Sequence, residues 1–187
     1  MTKRNKKGCI TVLSKEKKKM LWLDVLLFLL FIAADQFTKH LAIVHLKDKD
    51  SIHLVPDVLE LQYLENRGAA FGMLQDQKVF FIFIALIILV VISWVLFKTP
   101  DKKKYHSLHI LLVLIASGAV GNMIDRLRFD YVVDFIYFVL INFPIFNVAD
   151  IYVTVATVSL VVLLLFVYKE EDLNFLSFNQ KKYREIK

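Results

Sequence analysis

The sequence predicts an all-α integral membrane protein: four transmembrane helices with a small extracytoplasmic β-cradle and a second outer loop or amphipathic segment. Three observations carry this. Hydrophobic residues make up 57% of the 187 residues. Uncharged runs recur at the length that crosses about 30 Å of hydrocarbon. Lysine and arginine are bunched between those runs instead of being spread along the chain.

Taken in order, the first span starts at Met20 and runs to Ala34 with Asp24 near its beginning, then continues through Asp35 and Lys39 as its outer turns. The second, residues 79–97, the third, residues 108–124, and the fourth, residues 151–168, carry no charge. Between the first two spans, Leu59-Glu-Leu-Gln-Tyr63 alternates apolar and polar after the turn signal Pro56-Asp57, which predicts a short strand. Asn66-Arg-Gly-Ala-Ala-Phe-Gly72 follows, with two glycines suited to a tight backbone beside a ligand.

Residues 131–149 could pass for a fifth span, since Asp134 is their only charge. Pro144 would remove a backbone hydrogen bond from the middle of such a helix, and Asn142 and Asn147 add polar cost. A fifth span would also separate Asp134 from Asp150 by about 24 Å at 1.5 Å per residue. The segment is therefore read as one that dips or lies at the outer surface and returns, which brings both aspartates to one side at similar depth.

The basic residues set the topology. Residues 1–19 hold eight of the 24 lysines and arginines, residues 98–105 hold four and residues 169–187 hold five. All three segments are expected in the cytoplasm, which an even number of spans satisfies. The chain divides into a basic N-terminal tail (1–19), one membrane domain (20–168) and a C-terminal tail (169–187). The net charge of +6 is thus topological and does not mark a nucleic-acid partner. The N-terminal stretch is too basic and too long to be a cleavable signal peptide, so the first span is expected to be retained. The single cysteine, Cys9, cannot form an intrachain disulfide.

Polar residues at membrane depth fall toward the outer helix ends. Asp35 and Lys39 are four apart and can pair. Asn122, Asp125 and Arg126 share a face of the third helix, and Asn147 and Asp150 are three apart at the start of the fourth. An ionised carboxylate among apolar spans marks a candidate functional site, which singles out Asp134 and Asp150. The structural alternative stays open at this point, because Asp150 also suits a helix cap. Gly68, Gly118 and Gly121 fit close packing as well as function.

Five motifs stand in order along the chain: Asp35-Gln-Phe-Thr-Lys39, Asn66-Arg-Gly-Ala-Ala-Phe71, Gly121-Asn-Met-Ile-Asp-Arg126, Val132-Val-Asp-Phe135 and Phe146-Asn-Val-Ala-Asp150. Together they resemble lipoprotein signal peptidase, the signal peptidase II family, over residues 24–168. The resemblance implies a four-helix membrane aspartyl endopeptidase of the bacterial cell membrane. Such an enzyme cuts prolipoproteins just before a diacylglyceryl-modified cysteine, with its active site on the extracytoplasmic side. It implies Asp134 and Asp150 as the catalytic pair, with Asp35, Lys39, Asn66, Asn122, Asp125, Arg126 and Asn147 as supporting polar positions. Three departures from the family pattern are visible. Asp130 stands where glycine is common, so the turn there is expected to differ; Ser117 and Ala156 replace small glycines.

The chemistry follows from elementary electrostatics. Two carboxylates close together in a low dielectric cannot both ionise easily, so the pair tends to hold one proton. The ionised member can activate water while the protonated one donates to a peptide carbonyl. Asn147 and Asn122 are candidates for orienting the carboxylates, and Arg126 or Lys39 for balancing charge. No cofactor or metal is expected: His106 and His109 are spaced three apart without a third ligand. The expected partners are prolipoproteins and membrane lipids, with the enzyme itself a monomer. A proton-coupled carrier would place its charges near the midplane in repeated halves, and an adaptor would need no buried carboxylate pair.

Overall fold

The computed structural model describes residues 13–68 and 74–177. Cys9 and the stretch from Ala69 to Gly72 in the predicted cradle turn lie outside the described residues. Four helices are long and apolar enough to cross a membrane: α1 (Lys15–Leu46), α2 (Lys78–Lys98), α3 (His106–Phe129) and α4 (Val148–Val162), the last extended by a π turn over Leu163–Val167. Three strands, β1 (Ile52–Val55), β2 (Leu59–Asn66) and β3 (Val132–Phe138), form one antiparallel sheet in the order β1-β2-β3.

At 32 residues, α1 is about 48 Å long, more than the hydrocarbon is thick. It begins before the apolar run because Ser14 caps it, the hydroxyl accepting from Lys17 N at 3.0 Å. Lys17 is buried, and its ammonium donates to the carbonyls of Leu96 and Thr99. Those carbonyls lie at the C-terminus of α2, where the helix lacks its own donors. The pairing fastens the two helices at the end of the bundle away from the sheet. There Ile92, Tyr105, Leu108, Leu112, Ala116 and Tyr168 form an apolar cluster. At the sheet end a second cluster, Ala42, Leu46, Val133 and Phe135, lies between α1 and β3.

The segment after α3 does return, as the aspartates require, and its first part is a strand. β3 pairs along β2 from Leu59 opposite Phe138 to Asn66 opposite Val132. Its sequence is β-branched and aromatic, which suits a strand. It lacks alternation because its first four residues are buried on both faces, so period-two patterning gave no signal. The turn before it keeps the geometry that glycine would supply: Asp130 adopts φ 67° as the C-cap of α3, and Lys78 holds its carboxylate at 2.6 Å.

Candidate active site

Asp134 and Asp150 reach one cavity from different elements. β3 carries Asp134, 1% exposed, on the strand beside β2. Asp150 is the third residue of α4, in a capping box: Asn147 Oδ1 accepts from Asp150 N at 3.1 Å, and Asp150 Oδ2 accepts from Asn147 N at 3.1 Å. The amide of Asn147 then joins the two aspartates, because its Nδ2 donates to Asp134 Oδ1 at 2.6 Å and to Asn122 Oδ1 at 3.1 Å. Asn122 Nδ2 in turn donates to Asp150 Oδ1 at 2.8 Å. Asn66, at the end of β2, donates to Asp134 Oδ2 at 2.8 Å. All four carboxylate oxygens thus receive an N–H.

Below this pair lies a buried ionic layer. The ammonium of Lys39 meets Asp35 Oδ2 at 3.0 Å, Asp125 Oδ2 at 3.0 Å and Asn122 Oδ1 at 2.7 Å, so its three protons have three acceptors. The layer orients the site in two ways. It directs the Asn122 carbonyl toward Lys39 and its NH₂ toward Asp150. It also ties four elements together, α1, α3, β3 and α4, with Asp35 Oδ1 accepting from Ala149 N at 3.0 Å and Asp125 Oδ2 from Val133 N at 3.1 Å. Gly121 makes room for it, since a Cβ there would overlap the Asp35 carboxylate.

The cavity measures about 620 Å³ and is lined by Asn66, Gly68, Asn122, Arg126, Asp134 and Asp150 on its polar side, and by Phe138, Phe143, Ile151 and Val155 among its apolar residues. Asp35, Lys39 and Asp125 stay out of it. A second cavity of about 320 Å³, between α2, α3 and α4, shares Asn122, Arg126 and Asp150 with the first. Arg126 stands where they meet, its guanidinium 4.3 Å from the centre of the Phe81 ring and 3.1 Å from the Gly68 carbonyl. Burial, and next the neighbouring charge of Asp150, push the Asp134 carboxyl up to about 7, against the donors Asn66 and Asn147 and the charge of Lys39. Asp150 stands in the first turn of α4, at the N-terminal end of the helix.

Two carboxylates sharing one cavity at the rim of a four-helix membrane bundle, one of them biased to keep its proton, make the architecture of a membrane aspartyl peptidase. Residues 27–166 match the family described as Signal peptidase (SPase) II. The chain belongs to the signal peptidase II family. It is similar to the lipoprotein signal peptidase of Clostridium tetani, 40% identical over 152 residues that span 80% of this chain and 94% of that one. The lipoprotein signal peptidase of Streptococcus pyogenes serotype M5 is 40% identical over 150 residues, 80% and 95% of the two chains. Among solved structures, a bacterial membrane enzyme determined by the in meso method at 2.3 Å superposes with a TM-score of 0.67 at 31% identity, over 79% of this chain and 92% of that one.

Several participants escape a reading of spacing alone. Gln36 donates to Asp125 Oδ1 at 2.9 Å and to the Gly121 carbonyl at 3.2 Å; its place beside Asp35 in the first motif was the available signal. Phe81, beneath Arg126, sits in a span rich in phenylalanine and had none. His109, weighed above as a metal ligand with His106, pairs through Nδ1 with Asp24 Oδ2 at 2.6 Å. That pair is buried between α1 and α3, away from the sheet.

Proposed function

We propose that Asp134 and Asp150 are the catalytic pair with which this signal peptidase II family member removes signal peptides from prolipoproteins, cutting just before the diacylglyceryl-modified cysteine. The observation that carries the assignment is the grip of Asn147, which hydrogen-bonds to both carboxylates although 16 residues separate them in sequence. With the shared proton on Asp134, the Asp150 carboxylate takes a proton from water as the oxygen attacks the scissile carbonyl. Asp134 gives its proton to the carbonyl oxygen. In the collapse of the gem-diol, Asp150 returns its proton to the leaving nitrogen, the C–N bond breaks, and Asp134 recovers a proton from the hydroxyl. The pair ends as it began, with one proton.

The remaining residues hold this geometry. Asn66, Asn122 and Asn147 orient the carboxylates, Arg126 and Gly68 shape the cavity beside them, and Asp35, Lys39 and Asp125 form the buried support. The distribution of lysine and arginine supports an orientation with both termini in the cytoplasm and the sheet outside. On this reading the peptidase domain spans residues 20–168 and acts as a monomer between the tails 1–19 and 169–187. Diacylglyceryl chains of the substrate stay in the bilayer.

Cleavage of a diacylglyceryl-modified prolipoprotein by the purified protein tests the assignment, with Asp134→Asn and Asp150→Asn in the same detergent. Product is expected from the parent and from neither variant, at unchanged helical content. Cleavage surviving in either variant would overturn the dyad.

A further inference from the structure

The turn between β3 and α4 exposes apolar side chains that no spanning helix accounts for. No residue from Phe135 to Ala149 is charged. At the tip, Leu140 is 69% and Ile141 67% exposed, flanked by exposed Phe138 and Phe143. A contiguous apolar surface of this kind marks a contact with lipid or protein.

The backbone of this turn suits an apolar medium. Irregular chain is kept out of lipid by its unpaired polar groups, and here Val139 N donates to Val58 O at 3.0 Å, Asn142 N to Val139 O at 2.9 Å and Phe143 N to Phe138 O at 3.1 Å. Beside the tip, the side-chain carbonyl of Asn142 accepts from the Tyr137 hydroxyl at 2.8 Å. Aromatic packing stiffens the base: Phe146 stacks on Phe138 and meets Phe143 edge-on, each pair 5.8 Å apart.

Continuity identifies what covers the tip. Phe138 and Phe143 line the catalytic cavity together with Ile151 and Val155. The latter two are exposed on the outward face of α4, a helix long and apolar enough to cross a membrane. The apolar face of α4 therefore continues through Phe143 and Phe138 onto the turn, with Thr154 as the one uncharged polar residue of α4 beside Ile151 and Val155 in that lining. The other end of the sheet differs, since β1 follows Lys47, Asp48, Lys49 and Asp50, a charged stretch suited to water.

We infer that the β3–α4 turn is a lipid anchor: Leu140 and Ile141 enter the leaflet beside α4, and bilayer lipid closes the flank of the cavity between Phe143 and Val155. The anchoring stands independently of the proposed proteolysis. If that reading holds as well, the acyl chains of a lipidated cysteine reach the carboxylates along this flank without leaving hydrocarbon.

The test places a single tryptophan at the tip. Ile141→Trp and, separately, Leu140→Trp are made in a Trp22→Phe, Trp94→Phe background, with Asp50→Trp as the water-side control, and reconstituted into phosphatidylcholine vesicles. Both tip positions are largely exposed, so the substitutions displace no packed neighbour. Interfacial segments sit roughly 5–10 Å into the headgroup and acyl boundary, so bromines on the upper acyl carbons should quench the tip tryptophans more than those near the chain ends. The same tryptophans should be shielded from aqueous iodide, and the control should show the reverse. Quenching by iodide and not by brominated lipid would overturn the anchor. Shielding from both would overturn it too, in favour of a protein contact. Neither readout depends on cleavage.

Discussion

Replacing Lys39 with methionine keeps the length of the side chain and removes one charge from a layer in which Lys39, Asp35 and Asp125 are 2%, 0% and 1% exposed. Two carboxylates at 3.0 Å then lose their common cation. Removing one partner from a buried ion pair costs about 3–5 kcal/mol, because the charge left behind has neither water nor counter-ion. In a protein of this size each kcal/mol moves the melting temperature by roughly 2–4 °C, so Lys39→Met should melt about 6–20 °C lower. The triple variant Asp35→Asn, Lys39→Met, Asp125→Asn leaves no charge stranded and should recover much of the loss. Melting followed by circular dichroism in one detergent at neutral pH compares the three proteins. Should Lys39→Met melt within about 2 °C of the parent, or the triple variant melt as low as the single one, the layer is not the ionic support described here.

The proton on Asp134 makes a pH prediction. Its carboxyl is raised from an ordinary 3.8 to about 7, so the acid form prevails below neutrality and kcat/KM should fall as pH rises through about 7. The matching stability contribution is complete below about 4 and lost as pH rises toward 7. Asn66 donates to the ionised form and holds this value down, so Asn66→Ala should move the alkaline limb to higher pH; an unmoved limb would show that another group sets it. In Gly118→Ala the new Cβ meets the Ala149 carbonyl at 2.6 Å and Val153 Cγ2 at 2.7 Å, forcing α3 from α4 at about 1–3 kcal/mol, which a lower melting temperature would report. Gly121→Ala presses on the Asp35 carboxylate instead and should cut cleavage as well as stability. His109→Phe strands buried Asp24 and should destabilise more than His109→Phe with Asp24→Leu, read from the same melts.

Length and apolarity of a run are local properties, so the four spans were legible in the chain, as was β2 from the turn signal Pro56-Asp57 and the alternation after it, whereas β1 was not. The pairing of Asp35 with Lys39 followed from helical spacing, and the ordered motifs carried the family. The third strand was not legible. Residues 132–135 are buried, with β3 packed against α1 and α3, and a segment buried all round shows no period. Nor could helix spacing say that Asp125 and Arg126, adjacent in sequence, diverge. Asp125 turns to Lys39 and the Val133 amide, while Arg126 turns to Phe81 and Gly68. His109 and Asp24 are 85 residues apart, and no periodicity links them.

The sequence by itself determined which segments leave water, because transfer of each apolar run into hydrocarbon depends on that run alone. Tertiary structure decided which polar groups meet. Asp134 and Asp150 share one cavity only because β3 pairs with β2, Asn147 caps α4, and the Lys39 layer holds α1, α3, β3 and α4 together. A buried carboxylate has its energy set by the groups that surround it, and here those come from four different elements.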